Sequence, residues 1–136
     1  MSIEISKVIQ KFQIDIVYVP HRGDIHKDHK MVFDATLVAV RPRNNYTVKK
    51  VLAYETLSET EWGNPVASDM FIPTYFEDVD ELYFEKKMKA LSFFHSQMAS
   101  FPASRSLEAV DALSKYRGAT ISKMRAEAFM VVRIIS

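Results

Sequence analysis

Residues 21 to 29 read His-Arg-Gly-Asp-Ile-His-Lys-Asp-His, and three of the chain's 4 histidines fall there. Imidazole nitrogen and carboxylate oxygen are the donors of zinc sites built without thiolate. Histidine is also the side chain suited to holding or moving a proton near neutral pH. His26 and His29 are three residues apart, a spacing that puts both rings on one face of a helical first turn. An aspartate here can be a further ligand, orient an imidazole from behind, or cap the helix start. His21 and Asp24 are candidates for contact with whatever the cluster binds. A complete metal site made from this loop alone is disfavoured. A short loop approaches an ion from one side, whereas a catalytic zinc needs three protein ligands and an open position.

Such a loop needs elements to hold it. Ile5, Val8, Ile9 and Phe12 recur at helical spacing and predict an amphipathic helix. Residues 14 to 19 form an almost continuous apolar run closed by Pro20, as expected of a strand buried on both faces. After the histidine loop, Val32, Phe33, Thr36, Leu37 and Val40 mark a second helix, stopped by Pro42. Val48 to Tyr54 reads as a strand. Residues 55 to 80 are polar and irregular, with a short strand expected near Phe71. Glu81 to Met98 reads as a helix whose inner stripe holds Met88, Leu91, Phe94, His95 and Met98. His95 is accordingly read as structural. Leu107, Val110 and Leu113 mark another helix with Gly118 as its C-cap, and Ala128 to Ile135 is a last strand. Helices alternating with strands indicate an α/β domain, a Rossmann-like, mainly parallel sheet with flanking helices. The cluster lies beyond the carboxyl end of a strand, where open α/β sheets bind ligands.

The composition narrows the classes further. With 136 residues, 48% of them hydrophobic, the chain fits a single domain over 1–136. A net charge of +1 with interleaved signs speaks against nucleic acid as a partner. No apolar run approaches the roughly 20 residues of a membrane span, and the first residues lack the apolar core of a signal peptide. There is no cysteine, so disulfides, thiolate metal sites and a cysteine nucleophile are excluded. A cytoplasmic location is expected.

The run Pro20-His21-Arg22-Gly23-Asp24-Ile25-His26-Lys27-Asp28-His29 resembles the second histidine motif of the PIG-L/LmbE-like family of zinc-dependent N-deacetylases. Tyr54-Glu55-Thr56-Leu57-Ser58 and Thr60-Glu61-Trp62 resemble the loop after the next strand in part of that family. The later pieces Lys89-Ala90-Leu91, Ser96-Gln97, Arg105-Ser106, Glu108-Ala109, Arg117-Gly118 and Ala126-Glu127-Ala128-Phe129 agree in order. The resemblance implies His29 as a zinc ligand. It implies that His26 faces the substrate carbonyl, with Asp28 holding an imidazole, that of His26. The implied reaction is hydrolysis of the N-acetyl group of an N-acetylglucosamine-type or related amide. In this setting His21, Asp24 and Trp62 are candidate substrate contacts. Trp62 offers an aromatic face for a sugar or an anchor for its loop. Glu55 and Glu61 are read as solvated loop carboxylates.

The family's N-terminal A-H-P-D-D-E-type motif has no counterpart in the 136 residues. That motif supplies two further ligands and the general base. The chain therefore resembles the C-terminal half of the family fold, a domain incomplete at its N-terminus. Zn²⁺ is expected only if the missing ligands are supplied. Three explanations are open: a fragment, a split enzyme whose first half is another polypeptide, or a noncatalytic α/β module binding a sugar-like ligand or a partner subunit. A truncated or split enzyme is favoured because the loop holds both histidines and the aspartate. Apolar surface left by a missing half would make the chain a homo-oligomer or bring it a partner chain.

Overall fold

In the computed structural model, which describes residues 1–42 and 46–136, the apolar start of the chain winds into α1 (Ser2–Phe12), closed by Gln13 in the left-handed conformation. Ile9 is buried and Ile5 packs beside it, while Val8 and Phe12 stay exposed. β1 (Ile16–Pro20) follows, then α2 (Lys27–Ala39) and β2 (Lys50–Tyr54). β3 (Tyr75–Asp78), α3 (Glu81–Ser92), α4 (Leu107–Thr120) and β4 (Ala126–Ile134) complete the order. The strand order is β1-β2-β4-β3. β1 runs parallel to β2, and β4 runs antiparallel to β2, with an irregularity at Val51/Leu52. The fold is thus α/β with a mixed sheet.

The chain divides into two compact units. In the first, residues 1–74 and 129–136, the core comprises Ile9, Val19, Phe33, Ala39, Val40, Val48, Val51 and Ala53. Each large member contributes about 1.5–3 kcal/mol of burial. β2 is the strand buried on both faces: Val51, Leu52 and Ala53 are all inaccessible. β1 differs from expectation. Ile16 and Tyr18, which share one face of the strand, are exposed, and only Val19 and Pro20 are buried; that face of β1, a strand at the edge of the sheet among the described residues, is left uncovered.

In the second unit, residues 75–128, the buried Arg125 guanidinium lies 3.8 Å from the Phe84 ring centre. It donates to Glu81, Asp111 and Ser114. Four expectations are corrected here. The short strand is at Tyr75–Asp78 rather than near Phe71. α3 ends at Ser92, and the chain then continues in turns such as Gln97 N–H to Phe94 carbonyl. Phe94 and His95 are exposed rather than on an inner stripe. Gly118 lies inside α4, not at its C-cap, where Ile121 stands. Its missing side chain admits the Arg125 backbone, which a Cβ would approach to 2.7 Å.

Candidate functional site

The loop between β1 and α2 holds the histidine cluster, and backbone contacts fix its start. The His21 N–H donates to the Tyr54 carbonyl at 3.0 Å, extending the β1–β2 ladder by one bond. The chain then turns, with Asp24 N–H on the His21 carbonyl at 3.3 Å. Arg22 reaches Asp34 on α2 at 3.0 Å. His26 is the N-cap of α2, its Nδ1 accepting the Asp28 backbone N–H at 3.3 Å.

His26 and His29 come together as the spacing predicts. Their rings are 5.1 Å apart between centres and inclined by 22°, a stacked pair. Both remain partly accessible, the His26 side chain at 48% and that of His29 at 24%. Neither ring is turned into the hydrophobic core.

Asp24 lies behind this pair. Its side chain is wholly buried, and Oδ2 lies 2.6 Å from His29 Nδ1. Its other oxygen accepts the Thr60 hydroxyl at 2.6 Å. The Thr60 oxygen in turn accepts the Thr56 backbone N–H at 2.7 Å. A buried carboxylate holding the inner nitrogen of a histidine is the usual backing of a metal-ligating imidazole. The Thr60 end of this relay was not legible locally, because it lies 36 residues from Asp24 in sequence. Tyr54, at the end of β2, has its phenol pKa pushed up by burial and, to a lesser extent, by the Asp24 charge.

Asp28 has a different place. Its carboxylate is 79% exposed and 3.9 Å from His26 Nδ1, beyond hydrogen-bonding distance. The backbone N–H of Asp28, not its carboxylate, meets the His26 ring. His21 is buried, with Nε2 donating to the Asp69 carbonyl at 2.8 Å and its ring edge-on to Phe71. It ties down the loop that follows β2. Gly23 lets that loop close, since a Cβ there would fall 1.9 Å from the Asp69 oxygen. Trp62 is exposed at 62% beside Gly63, whose own Cβ would meet the Gly23 carbonyl at 2.5 Å. Glu61 is less free than expected: it accepts the Ser58 N–H at 2.6 Å.

The donor set tests the fit of a metal. His29, braced through Nδ1 by a buried carboxylate, fits one position of a zinc sphere. Among the described residues no three ligand-type side chains converge on one point.

No protein-family model matches the chain. Over 75 residues it is 40% identical to the uncharacterized deacetylase YaiS of Escherichia coli (strain K12), a stretch covering 55% of this chain and 34% of that protein. The chain thus spans about a third of the curated relative that it matches. Among solved structures it is similar to the conserved protein TT1542 of Thermus thermophilus, with TM-score 0.74 and 17% identity over 99% of this chain and 59% of that one. It is similar to the A40926 pseudoaglycone deacetylase Dbv21, with TM-score 0.73 and 20% identity over 99% and 56%. It is also similar to the N,N'-diacetylchitobiose deacetylase of Pyrococcus horikoshii, with TM-score 0.68 and 19% identity over 96% and 50%. These structural likenesses show a shared fold. Among the described residues no helix is long and apolar enough to cross a membrane.

Proposed function

We propose that this chain carries the histidine half of a zinc-dependent N-deacetylase site, in the manner of the PIG-L/LmbE-like enzymes it resembles. The substrate is an N-acetylated sugar or a related small amide. The observation that carries the reading is the buried Asp24 carboxylate at 2.6 Å from His29 Nδ1. A second support is the 40% identity to a protein described as a deacetylase. Dbv21 and the chitobiose enzyme, both described as deacetylases, share the fold.

In this reading His29 is the metal ligand, and the remaining ligands and the general base come from residues outside the 136. Zinc, when bound, supplies a nucleophilic water at neutral pH and polarises the acetamide carbonyl. His26 is the catalytic residue of this chain. It donates a hydrogen bond to the carbonyl oxygen as negative charge gathers there, a kind of contact worth about 2.7–4 kcal/mol in proteases. Asp24 positions His29, and the exposed face of Trp62 is available to the C–H face of a sugar. The chain works as a homo-oligomer or with a partner that completes the site.

The test is acetate release from N-acetylglucosamine, with zinc content, for this chain alone and with a segment bearing the A-H-P-D-D-E-type motif. The expected result is zinc uptake and hydrolysis in the combined sample, both lost in His29→Ala. Hydrolysis that survives His29→Ala would overturn the assignment. A second reading, a noncatalytic module for a sugar-like ligand or a partner subunit, draws on the absence of a complete ligand set among the described residues. Sugar binding or partner capture, with neither zinc nor hydrolysis in the combined sample, would establish it.

A further inference from the structure

The two stacked imidazoles differ in what holds their Nδ1 atoms, and this difference determines what each Nε2 offers. At His29 the partner of Nδ1 is the Asp24 carboxylate. An ionised carboxylate only accepts, so Nδ1 carries the proton. In the neutral ring Nε2 then has a free lone pair. At His26 the partner of Nδ1 is the Asp28 backbone N–H, which only donates. Nδ1 is therefore the bare nitrogen, and in the neutral ring Nε2 carries the hydrogen.

We propose that the fold locks His26 and His29 in opposite tautomers, a lone-pair donor at His29 Nε2 beside a hydrogen-bond donor at His26 Nε2. Asp24 and Thr60 are the positioning residues that set the first. The N-cap of α2 sets the second. This deepens the deacetylase reading and rests on it for its use: one ring takes a metal while its neighbour serves a carbonyl oxygen, and neither needs to be charged. It also relocates the orienting role from the exposed Asp28 carboxylate to a main-chain N–H.

The relay is closed at every step. The Thr56 N–H donates to the Thr60 oxygen, the Thr60 hydroxyl to Asp24 Oδ1, and His29 Nδ1–H to Asp24 Oδ2. Both groups facing the carboxylate are donors. Asparagine in its place satisfies one of them through its carbonyl oxygen and must point its amide N–H at the other. Keeping the Thr60 hydroxyl bond turns the amide N–H toward His29, which then accepts at Nδ1 and moves its hydrogen to Nε2.

The experiment is long-range ¹H–¹⁵N correlation of the histidine rings in the metal-free protein, at a pH above the usual histidine range. In the wild type, His29 should show a protonated Nδ1 and a bare Nε2, and His26 the reverse. Asp24→Asn should move the His29 hydrogen to Nε2 and leave the His26 pattern unchanged. The wild-type spectrum decides the matter even if the variant fails to fold. The same tautomer at both rings, or a bare Nδ1 at His29, would overturn the proposal. The spectrum needs no metal and no substrate. Opposite tautomers without deacetylation in the combined sample would therefore count against the deacetylase reading and not against the lock.

Discussion

Replacing Gly23 with alanine puts a methyl group where the Asp69 carbonyl already stands. The new Cβ would lie 1.9 Å from that oxygen, 2.8 Å from its carbon and 2.6 Å from His21 Nε2. Two of these three contacts are backbone, so no side-chain rotation relieves them. The loop at Asp69 must move outward, and with it goes the His21–Asp69 hydrogen bond of 2.8 Å. Forcing a methyl into a packed site costs about 1–3 kcal/mol, and the lost bond costs about 0.5–1.5 kcal/mol. The expected destabilisation is about 1.5–4.5 kcal/mol. Urea unfolding followed by circular dichroism reads this as a midpoint lowered by roughly 1–2 M. His21→Phe substitutes a slightly larger aromatic ring and loses the hydrogen bond without pressing on the Asp69 backbone as a Gly23 Cβ does, so its shift should be the smaller of the two. A Gly23→Ala midpoint equal to that of the wild type would refute the close approach of the two loops, and with it the role of His21 as their tie.

Gly118→Ala should also destabilise, against the gain of about 0.8–1.0 kcal/mol that alanine brings to an ordinary helix interior, because its Cβ would meet the Arg125 backbone at 2.7 Å; a raised melting temperature would contradict this. Asp111 accepts from Lys115 and from Arg125, and these bonds hold its carboxyl below the ordinary 3.8. Its folded pKa is thus below the unfolded one, so its stabilising effect is complete above about pH 4 and is lost as pH falls through the folded value. Asp111→Asn should therefore flatten the acid limb of the stability curve, and identical acid limbs would count against the Arg125 cluster. The exposed Phe93, Phe94, Phe101 and Met124 lead to an expectation of self-association or partner capture, read by analytical sedimentation. A clean monomer that binds no apolar dye would contradict it.

Much of this was legible wherever the signal is local. The stacking of His26 on His29 follows from a spacing of three at a helix start, and Pro42 and the polar loop bracket α2 and β2 correctly. What escaped depends on residues distant in sequence. The burial of β1 was overestimated because an apolar run does not reveal which face of a strand stays uncovered, here that of Ile16 and Tyr18. Asp24 looked like a cap or a substrate contact, since nothing near it announces Thr60. Asp28 was read as the orienting carboxylate because it is adjacent; its carboxylate is 79% exposed and 3.9 Å from His26 Nδ1, and its backbone N–H meets that ring. Gly118 carried the signature of a helix end, but here glycine serves a close backbone approach instead.

The central claim is that His29 offers its outer nitrogen to zinc while His26 faces the bound carbonyl. Anomalous X-ray scattering at the zinc edge, from protein supplied with the remaining ligands, tests it most directly. The expected result is one ion about 2.0–2.1 Å from His29 Nε2, with His26 Nε2 turned to the open side of that ion. Zinc bound through His29 Nδ1, or held by other residues with His29 still resting on Asp24, would contradict the account.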